Sequence, residues 1–544
     1  MRRLRWRAVG ATVALAAGAA VGVVGGGGGQ AGAVTPGTFA VVDVPSGEVM
    51  APGYYRLTQV AVTGTNAGLV ATATDAGKPT FELTIAPKEG GTLAAPQFES
   101  GTTTGPATAG AARVRIFEGP RGCDNGVGEY MLDDIAFNGG GAITRLALTW
   151  RMQCLSLPNQ PISSGYVYLN QNPGPIGSPA TSTFVPVTPK RVLDTRDSQA
   201  LGAGGTRNVQ ITGGVSGVPA GASAVVVNLT AISPTTDTFL TVYPAGAARP
   251  DVSNLNPRAG DIVPNLATVK LSVGGAITLY NNVGSTHAAV DVMGYYKPDG
   301  SGKKFVGRNP QRLLDTREST PLGPGGTRTI TVDASASAAV LNVTATRPTA
   351  PGGTFVTVYP AGVTRPDTSN LNVRAGQTIP NLAVVKLNGS GQVTIYNAQG
   401  NTDVIIDVVG TFKDSGDTPT SGRFVPIDPT RVYDSRNPPR GMVKGPLGNN
   451  ASRDIGVVGL AGGYPFEFSA MVANVTATNT SAQSYLTAYP TGLAVPLASN
   501  LNWLGGETRP NQVMNATDDY GFASVYNAVG QTDVIIDVAG WFTR

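Results

Sequence analysis

The sequence has little of the residue types on which most enzymatic chemistry depends. It contains one histidine, two cysteines and 14% charged residues among 544 positions. A single histidine excludes histidine-rich metal sites, and a histidine-dependent triad could exist in one place at most. No Gly-x-Ser-x-Gly elbow, phosphate-binding loop or metal-binding run occurs in the sequence. We therefore predict no metal, no cofactor and no catalytic residue.

An excess of charge of one sign is also lacking once the first residues are set aside. Four of the 39 basic residues lie in the first seven positions, and no acidic residue precedes Asp43. The remaining 35 basic residues balance 35 acidic ones, so the rest of the chain is formally neutral. A neutral chain lacks the basic surface that binds nucleic acid or anionic membranes. We expect no nucleic-acid partner.

Residues 1–33 have the pattern of a secretory signal peptide. Arginines precede an apolar run at residues 8–24, and Ala31-Gly32-Ala33 is a suitable small-residue cleavage site. The alternative is a membrane anchor, but 17 residues rich in Ala and Gly are short for a membrane span. The sequence therefore predicts a secreted, extracellular protein that can associate with the cell wall and that has no membrane span after cleavage.

A charged motif opens each of three long repeats. Its copies are Arg191-Val-Leu-Asp-Thr-Arg196, Arg312-Leu-Leu-Asp-Thr-Arg317 and Arg431-Val-Tyr-Asp-Ser-Arg436. The repeats span residues 184–297, 305–412 and 424–544, so their starts lie 121 and 119 residues apart. A period of this length exceeds that of solenoid repeats and suits autonomous domains. We predict three modules arranged like beads on a string, with short linkers.

Further motifs recur within every repeat: Asn-Val-Thr, Tyr-Pro-Ala-Gly, Ser-Asn-Leu-Asn, Pro-Asn, Tyr-Asn and Asp-Val-x-Gly, with small variations. The spacing from Asn254 to Asn281 is 27 residues, and it is the same in the other two copies. Constant spacing is what paired strands require. β-Branched runs such as 354–359 and 403–409 are typical of strands, and no amphipathic helix of useful length occurs. The prediction is an all-β, multidomain protein with three tandem β-sandwich modules, or barrels as the alternative.

Residues 38–172 form an N-terminal domain unlike the repeats, and alternating segments such as 81–85 predict a small β-sandwich. Cys123 and Cys154 both lie in this domain. In an exported chain a cysteine pair is usually a disulfide, and this loop of about 30 residues would gain roughly 3–4 kcal/mol. If the chain were a hydrolase, the acidic cluster of Glu129, Asp133 and Asp134 is where its site would lie.

The charged residues of the repeats are the first candidate site. An aspartate inside an apolar strand, as in the Asp-Val-x-Gly motif, is costly to bury without a partner. We predict that an arginine of the opening motif pairs with this terminal aspartate; the alternative is the acid/base pair of a glycoside hydrolase. The residues assigned to structural ion pairs are Arg191, Asp194, Arg196, Asp291, Arg312, Asp315, Arg317, Asp407, Arg431, Asp434, Arg436 and Asp537.

The tyrosines and asparagines of the repeats are the second candidate site. Asn and Ser clusters usually shape turns by bonding to the backbone, and the alternative is a polar groove for a sugar. The residues of this possible ligand surface are Tyr243, Asn254, Asn256, Tyr359, Asn370, Asn372, Tyr489, Asn500 and Asn502. His287 stands where the other copies have Asp403 and Asp533, and we expect it to be an incidental surface residue.

The ordered series of repeat motifs resembles a repeat of secreted actinobacterial proteins. There it occurs in tandem arrays and as an appendage of secreted hydrolases. Gly122-Cys123, the strand end from Trp150 to Cys154, and the segment 165–168 resemble a disulfide-bearing domain at the front of such proteins. The resemblance implies an extracellular accessory or surface module without assigned chemistry.

Composition, motifs and resemblance together predict a secreted, non-catalytic binding or structural protein of the cell surface or extracellular matrix. Its repeats would act as low-affinity glycan- or protein-binding modules, and tandem weak sites would gain avidity. The expected partners are cell-wall or extracellular polysaccharide, or another surface protein. The alternatives are a secreted hydrolase with accessory repeats and a spacer that presents the N-terminal domain.

Overall fold

The computed structural model describes residues 37–44, 53–57, 59–74, 76, 80–87, 92–93, 97–102, 112–118, 121–122, 126–154, 162–171, 181–414, 421–438, 443–456, 468–518 and 521–543. The predicted signal peptide lies outside these residues. The chain divides into two compact units, Met1–Pro179 and Ala180–Arg544. No helix in the described ranges is long and apolar enough to cross a membrane.

The described part of the first unit has eleven strands in one hydrogen-bonded sheet. Their order is β2-β1-β11-β10-β9-β6-β7-β5-β4-β3, and β8 pairs with β7. Alternate residues Phe81, Leu83 and Ile85 of β5 point into its core, as their period-2 pattern requires. The strands are β1 Gly37–Val44, β2 Gly53–Leu57, β3 Gln59–Thr65, β4 Gly68–Thr74, β5 Phe81–Ala86, β6 Gln97–Thr102, β7 Ala112–Glu118, β8 Arg121–Gly122, β9 Gly126–Phe137, β10 Ile143–Cys154 and β11 Ile162–Gln171.

Two predictions about the first unit depend on a residue or on side chains that the structure does not describe. Cys154 ends β10, but Cys123 lies outside the described residues, so the disulfide stays a prediction. Glu129, Asp133 and Asp134 lie on β9, and their side chains are likewise outside the description.

The second unit contains the three repeats, called module 1, module 2 and module 3 below. Module 1 has β12 Thr183–Asp194, β13 Thr206–Gln210, β14 Ala224–Ile232, β15 Leu240–Pro244, β16 Ile262–Lys270, β17 Ala276–Asn281 and β18 His287–Lys297. Module 2 has β19 Lys304–Asp315, β20 Thr327–Thr331, β21 Ala336–Thr346, β22 Thr354–Pro360, β23 Leu371–Val373, β24 Thr378–Lys386, β25 Gln392–Asn397 and β26 Asp403–Lys413. Module 3 has β27 Phe424–Asp434, β28 Ala451–Gly456, β29 Phe468–Thr478, β30 Ser484–Pro490, β31 Leu501–Trp503, β32 Arg509–Ala516, β33 Phe522–Asn527 and β34 Asp533–Thr543.

Each module is a sandwich of two antiparallel sheets. The axial sheets are β12-β18-β14-β16, β19-β26-β21-β24 and β27-β34-β29-β32. The outer sheets are β13-β17-β15, β20-β25-β22-β23 and β28-β33-β30-β31. The space between the two sheets of every module is filled by its own apolar cluster. The predicted all-β, multidomain sandwich class is therefore confirmed.

The modules are not the independent beads that the repeat length suggested, because a second apolar core is shared by all three. It is built from the other face of the axial sheets, which explains why β14 is buried along almost its whole length. Six aromatic residues, called the axial aromatic cluster, form its centre: Phe184, Tyr296, Phe305, Phe412, Phe424 and Phe542. A sheet buried on both faces reads as a continuous apolar run, and the sequence alone does not say what covers its second face.

The axial aromatic cluster has threefold pseudosymmetry. The first aromatic residue of each module packs against the last aromatic residue of the next, at ring-centroid distances of 4.2–4.3 Å. Residues Tyr296, Phe412 and Phe542 form a triangle with sides of 6.1–6.3 Å. Stacked and tilted contacts at these distances are favourable aromatic geometries.

Backbone hydrogen bonds made at the start of each module join the three modules into a closed ring. The amide of Phe184 donates to Lys303 at 2.8 Å, and that of Phe305 donates to Gly422 at 2.8 Å. The amide of Phe424 donates to Ser182 at 2.7 Å, which returns the ring to module 1. The residues just before modules 2 and 3, expected in linkers, are therefore part of the assembly.

Candidate functional site: the charged motif and the module interfaces

The opening motif and the terminal aspartate meet because the first and last strands of each module are neighbours in the axial sheet. Arg191 and Asp291 are paired in the register of β12 and β18. The Nε of Arg191 donates to Asp291 at 2.9 Å, and its Nη2 donates to the other carboxylate oxygen at 3.2 Å. The structure brings together the residues assigned to this pair in modules 2 and 3 as well, with Nε–O distances of 2.9 and 2.8 Å. The two ends of every module are thus joined by a bidentate ion pair.

The second arginine of the motif pairs with the aspartate inside the motif. Arg196 donates from Nε and Nη2 to Asp194 at 3.0 and 2.6 Å, and Arg317 and Arg436 repeat the arrangement. The Asp194 carboxylate also accepts the backbone amide of Arg196, which caps the 3-10 turn at Thr195–Asp197. The motif therefore forms a local turn.

Burial and pairing shift the two kinds of aspartate in opposite directions. Hydrogen bonding from Arg196 holds the pKa of the Asp194 carboxyl at about 2. Burial raises the pKa of the Asp537 carboxyl to about 6, an effect that Arg431 opposes. The pKa of Asp291 is likewise raised by burial. Desolvation outweighs the ion pair at these terminal aspartates, whose side chains are 0–3% exposed.

Sequence reasoning did not assign a role to the hydroxyl residue of the motif. Thr195, Thr316 and Ser435 are all fully buried. Each hydroxyl accepts the backbone amide of the second residue of the last strand, at 2.8–3.1 Å. The third copy has Ser in place of Thr, which preserves this bond. The hydroxyl common to all three copies is the sequence feature that could have indicated its role. His287 is not an incidental surface residue, since it is half-buried with Nδ1 2.9 Å from the Thr195 carbonyl.

The possible ligand surface of tyrosines and asparagines is not an exposed groove. Tyr243, Tyr359 and Tyr489 are 4–7% exposed. The side chains of Asn254, Asn370 and Asn500 accept backbone amides of the neighbouring strand at 2.7–2.8 Å. Asn256, Asn372 and Asn502 are intermediate in burial, and Asn372 also lines a cavity between modules 1 and 2. The first asparagine of each copy thus shapes a turn through the backbone, while Asn256 and Asn372 bond to the serine side chain of the same motif.

The Ser-Asn-Leu-Asn turn contacts the next module of the ring. The Nδ2 of Asn228 donates to the Ser369 carbonyl at 3.0 Å, and Asn342 donates to Ser499 at 2.8 Å. Asn474 of module 3 closes the ring on Ser253 of module 1 at 2.8 Å. These asparagines belong to the Asn-Val-Thr motif, so two motifs recur because they bind each other between modules.

Charged pairs at the interfaces are less regular than these hydrogen bonds. Arg374 of module 2 lies 2.9 Å from Asp261 of module 1, and Arg258 of module 1 lies 3.5 Å from Glu507 of module 3. The corresponding residues at the third interface are Leu504 and Gln377. Threefold pseudosymmetry is therefore broken where the three modules meet at this end of the axial sheets.

The terminal aspartates of the three repeats are almost fully buried. The terminal aspartates are buried beneath their arginines, so a glycosidic bond has no access to them. Within the described ranges, no group of three or more His, Cys, Asp and Glu residues is arranged to hold a metal ion. The arrangement joins the first and last strands of each module in a fixed geometry, which a buried bidentate pair requires.

No protein-family model matches the chain, and no curated protein matches it in sequence. A solved structure of Sulfolobus turreted icosahedral virus is 10% identical, with a TM-score of 0.14, over 66% of this chain and 91% of that chain. Another, described as a triple jelly roll fold and turret assembly in an archaeal virus, is 9% identical, with a TM-score of 0.15, over 66% and 90%. TM-scores this low carry no argument about fold or function.

Proposed function

We propose that this chain is a secreted, non-catalytic binding or structural protein of the cell surface or extracellular matrix. The three modules act as one rigid body that presents glycan- or protein-binding surfaces in a fixed arrangement. The observation that carries the proposal is the burial of the repeated carboxylates: Asp291, Asp407 and Asp537 are tied to arginines and inaccessible to a substrate.

The closed ring changes how multivalency would operate. Modules on flexible linkers would gain avidity according to linker length, whereas modules fixed in one body gain it only when ligand spacing matches their geometry. A rigid body also loses little conformational entropy when it binds. We therefore expect binding to a regular polymer, such as a cell-wall polysaccharide, or to a surface protein.

The test is co-sedimentation of the mature protein with insoluble cell walls and a panel of polysaccharides. Residues 180–544 and residues 38–172 are assayed beside it, because they correspond to the two compact units. Pelleting of residues 180–544, competed by soluble glycan, is the expected result. If residues 38–172 pellet alone, the modules are better explained as a spacer; hydrolysis of a polysaccharide by either fragment would contradict the proposal.

A further inference from the structure

One of the clefts between the modules contains an open cavity. A cavity of about 330 Å³ lies where modules 1 and 2 meet, and Arg509 of module 3 lines it as well. The corresponding space between modules 2 and 3 measures about 30 Å³. The smaller space is lined by Gln483 and Trp503 at the positions where the larger cavity has Gly353 and Val373, so larger side chains occupy it. A volume of some 300 Å³ is the lower range of small-molecule sites.

The walls of this cleft, called the 1/2 cleft, combine an apolar side with planar polar groups. Phe355 and Ile379 supply apolar surface, and Asp261, Gln377 and Gln399 supply a carboxylate and two amides. Flat polar groups of this kind bind adjacent hydroxyl groups through two parallel hydrogen bonds. An aromatic ring has a negative face that attracts the C–H groups of a sugar ring.

Several polar groups of the 1/2 cleft retain hydrogen-bonding capacity. Arg509 uses Nε and Nη2 to bind Glu507, each at 3.1 Å, and its Nη1 has no partner within the described part of the chain. Gln377 accepts the Arg374 amide through Oε1 at 3.0 Å, which leaves its Nε2 group available. The side-chain amide of Gln399 makes no hydrogen bond to the described residues.

The charges of the 1/2 cleft are already balanced. Arg374 is paired with Asp261 at 2.9 Å, and Arg509 is paired with Glu507. A phosphate or another strong anion would have to compete with these carboxylates, whereas a neutral polyhydroxylated ligand would not. We propose that the 1/2 cleft binds one neutral pyranose unit of a glycan. This inference rests on the proposed function and gives it one pyranose site that the interface of modules 2 and 3 does not repeat.

The experiment is isothermal titration of the mature protein with methyl β-D-glucopyranoside, methyl α-D-mannopyranoside and the methyl glycoside of N-acetyl-D-glucosamine. At least one of them should bind with one site per chain. Gln399→Ala should weaken it about fivefold, since one hydrogen bond is lost. The matched control is Val529→Ala at the corresponding position of module 3, which should bind like the parent protein.

A second variant blocks the 1/2 cleft. A Cβ at Gly352 would have no neighbour within 4 Å, so Gly352→Phe fits the backbone and places a bulky ring at the cleft. Gly389→Phe, at an equally open position elsewhere in module 2, is its control. Binding should be abolished by the first change and kept by the second, with unchanged unfolding curves. Unaltered binding in Gly352→Phe, three sites per chain, or no binding of any glycoside would overturn the inference.

The outcome separates this inference from the proposed function. If the mature protein and Gly352→Phe both pellet with cell walls and no glycoside binds, the proposed function stands and the 1/2 cleft is not the site. If neither pelleting nor glycoside binding occurs, both proposals are wrong.

Discussion

The side-chain amide of Asn474 donates a hydrogen bond of 2.8 Å to the backbone carbonyl of Ser253, which lies 221 residues earlier in the chain. Module 3 therefore contacts module 1 as directly as it contacts module 2. Head-to-tail contacts of one kind generate a closed ring when the rotation between units closes. Here the ring is closed within a single chain, and it is filled by the axial aromatic cluster.

The ring predicts that the three modules unfold together. Phe305 is 3% exposed and stacks on Phe542 of module 3 at 4.3 Å. Phe305→Ala should lower the free energy of unfolding by about 3–5 kcal/mol. Because the shared core belongs to all modules, calorimetry should show the whole transition of residues 180–544 moving to lower temperature.

The calorimetric and van't Hoff enthalpies of the unmodified second unit should agree, as they do for one cooperative unit. Separate transitions for the modules, one of them shifted by Phe305→Ala, would contradict this prediction.

A hydroxyl buried at the axis makes Tyr296 a site for stabilisation. The Tyr296 side chain is fully buried, and its hydroxyl has no hydrogen-bond partner among the residues that the structure describes. The corresponding residues of the other modules are Phe412 and Phe542. Burial raises the pKa of this hydroxyl well above its usual value. Tyr296→Phe removes an unsatisfied polar group and should stabilise the unit by about 1 kcal/mol in urea unfolding. Phe412→Tyr is the reverse test, because it adds a hydroxyl at the corresponding position of module 2. If Tyr296→Phe and Phe412→Tyr had equal free energies of unfolding, this explanation would be wrong.

The buried ion pairs predict a pH-dependent defect. Arg431→Ala leaves the Asp537 carboxylate, 3% exposed, without its bidentate partner. The cost at pH 7 should be about 3 kcal/mol. The pKa of Asp537 in the folded protein, about 6, already exceeds its ordinary value of 3.8, and loss of the arginine raises it further. A raised folded pKa favours stability below the unfolded value and disfavours it as pH rises through the folded value.

The difference in melting temperature between Arg431→Ala and the parent should therefore be largest at neutral pH and shrink toward pH 4. The control is the double variant that combines Arg431→Ala with Asp537→Asn, which carries no buried charge at position 537. It should recover much of the loss at pH 7. A defect that is independent of pH would argue that Arg431 acts through packing.

The glycine of the Asp-Val-x-Gly motif is required by a close approach. A Cβ at Gly410 would lie 2.4 Å from the ring of Phe305, and Gly294 and Gly540 meet Phe184 and Phe424 in the same way. Gly410→Ala should displace the ring and destabilise the unit by about 1–3 kcal/mol. Gly323→Ala, whose Cβ would have its nearest neighbour at 3.7 Å, is the matched control. Equal denaturation midpoints would contradict the steric explanation.

The sequence was informative about each module and misleading about the assembly. The strand pattern predicted sandwiches, and the cost of burying Asp407 predicted an arginine of the opening motif as its partner. The structure shows that this arginine is Arg312, whose Nε lies 2.9 Å from the carboxylate. The same sequence suggested a ligand surface at Tyr359, which the fold buries. A residue with polar and apolar parts, such as tyrosine, is typical of both binding surfaces and interiors. The residue type alone therefore did not decide whether Tyr359 is exposed or buried.

What the sequence determined by itself is local: strand periodicity, turn residues, constant spacing, and the need of a buried carboxylate for a partner. These follow from the chemistry of neighbouring residues and repeat with every module. The tertiary structure decided that the modules form a ring, that Asn474 binds Ser253, and that one of the interfaces has an open cleft. Those features depend on which face of a sheet meets another module, and on small differences such as Gly353 against Gln483. Neither is encoded in the periodicity of a single strand.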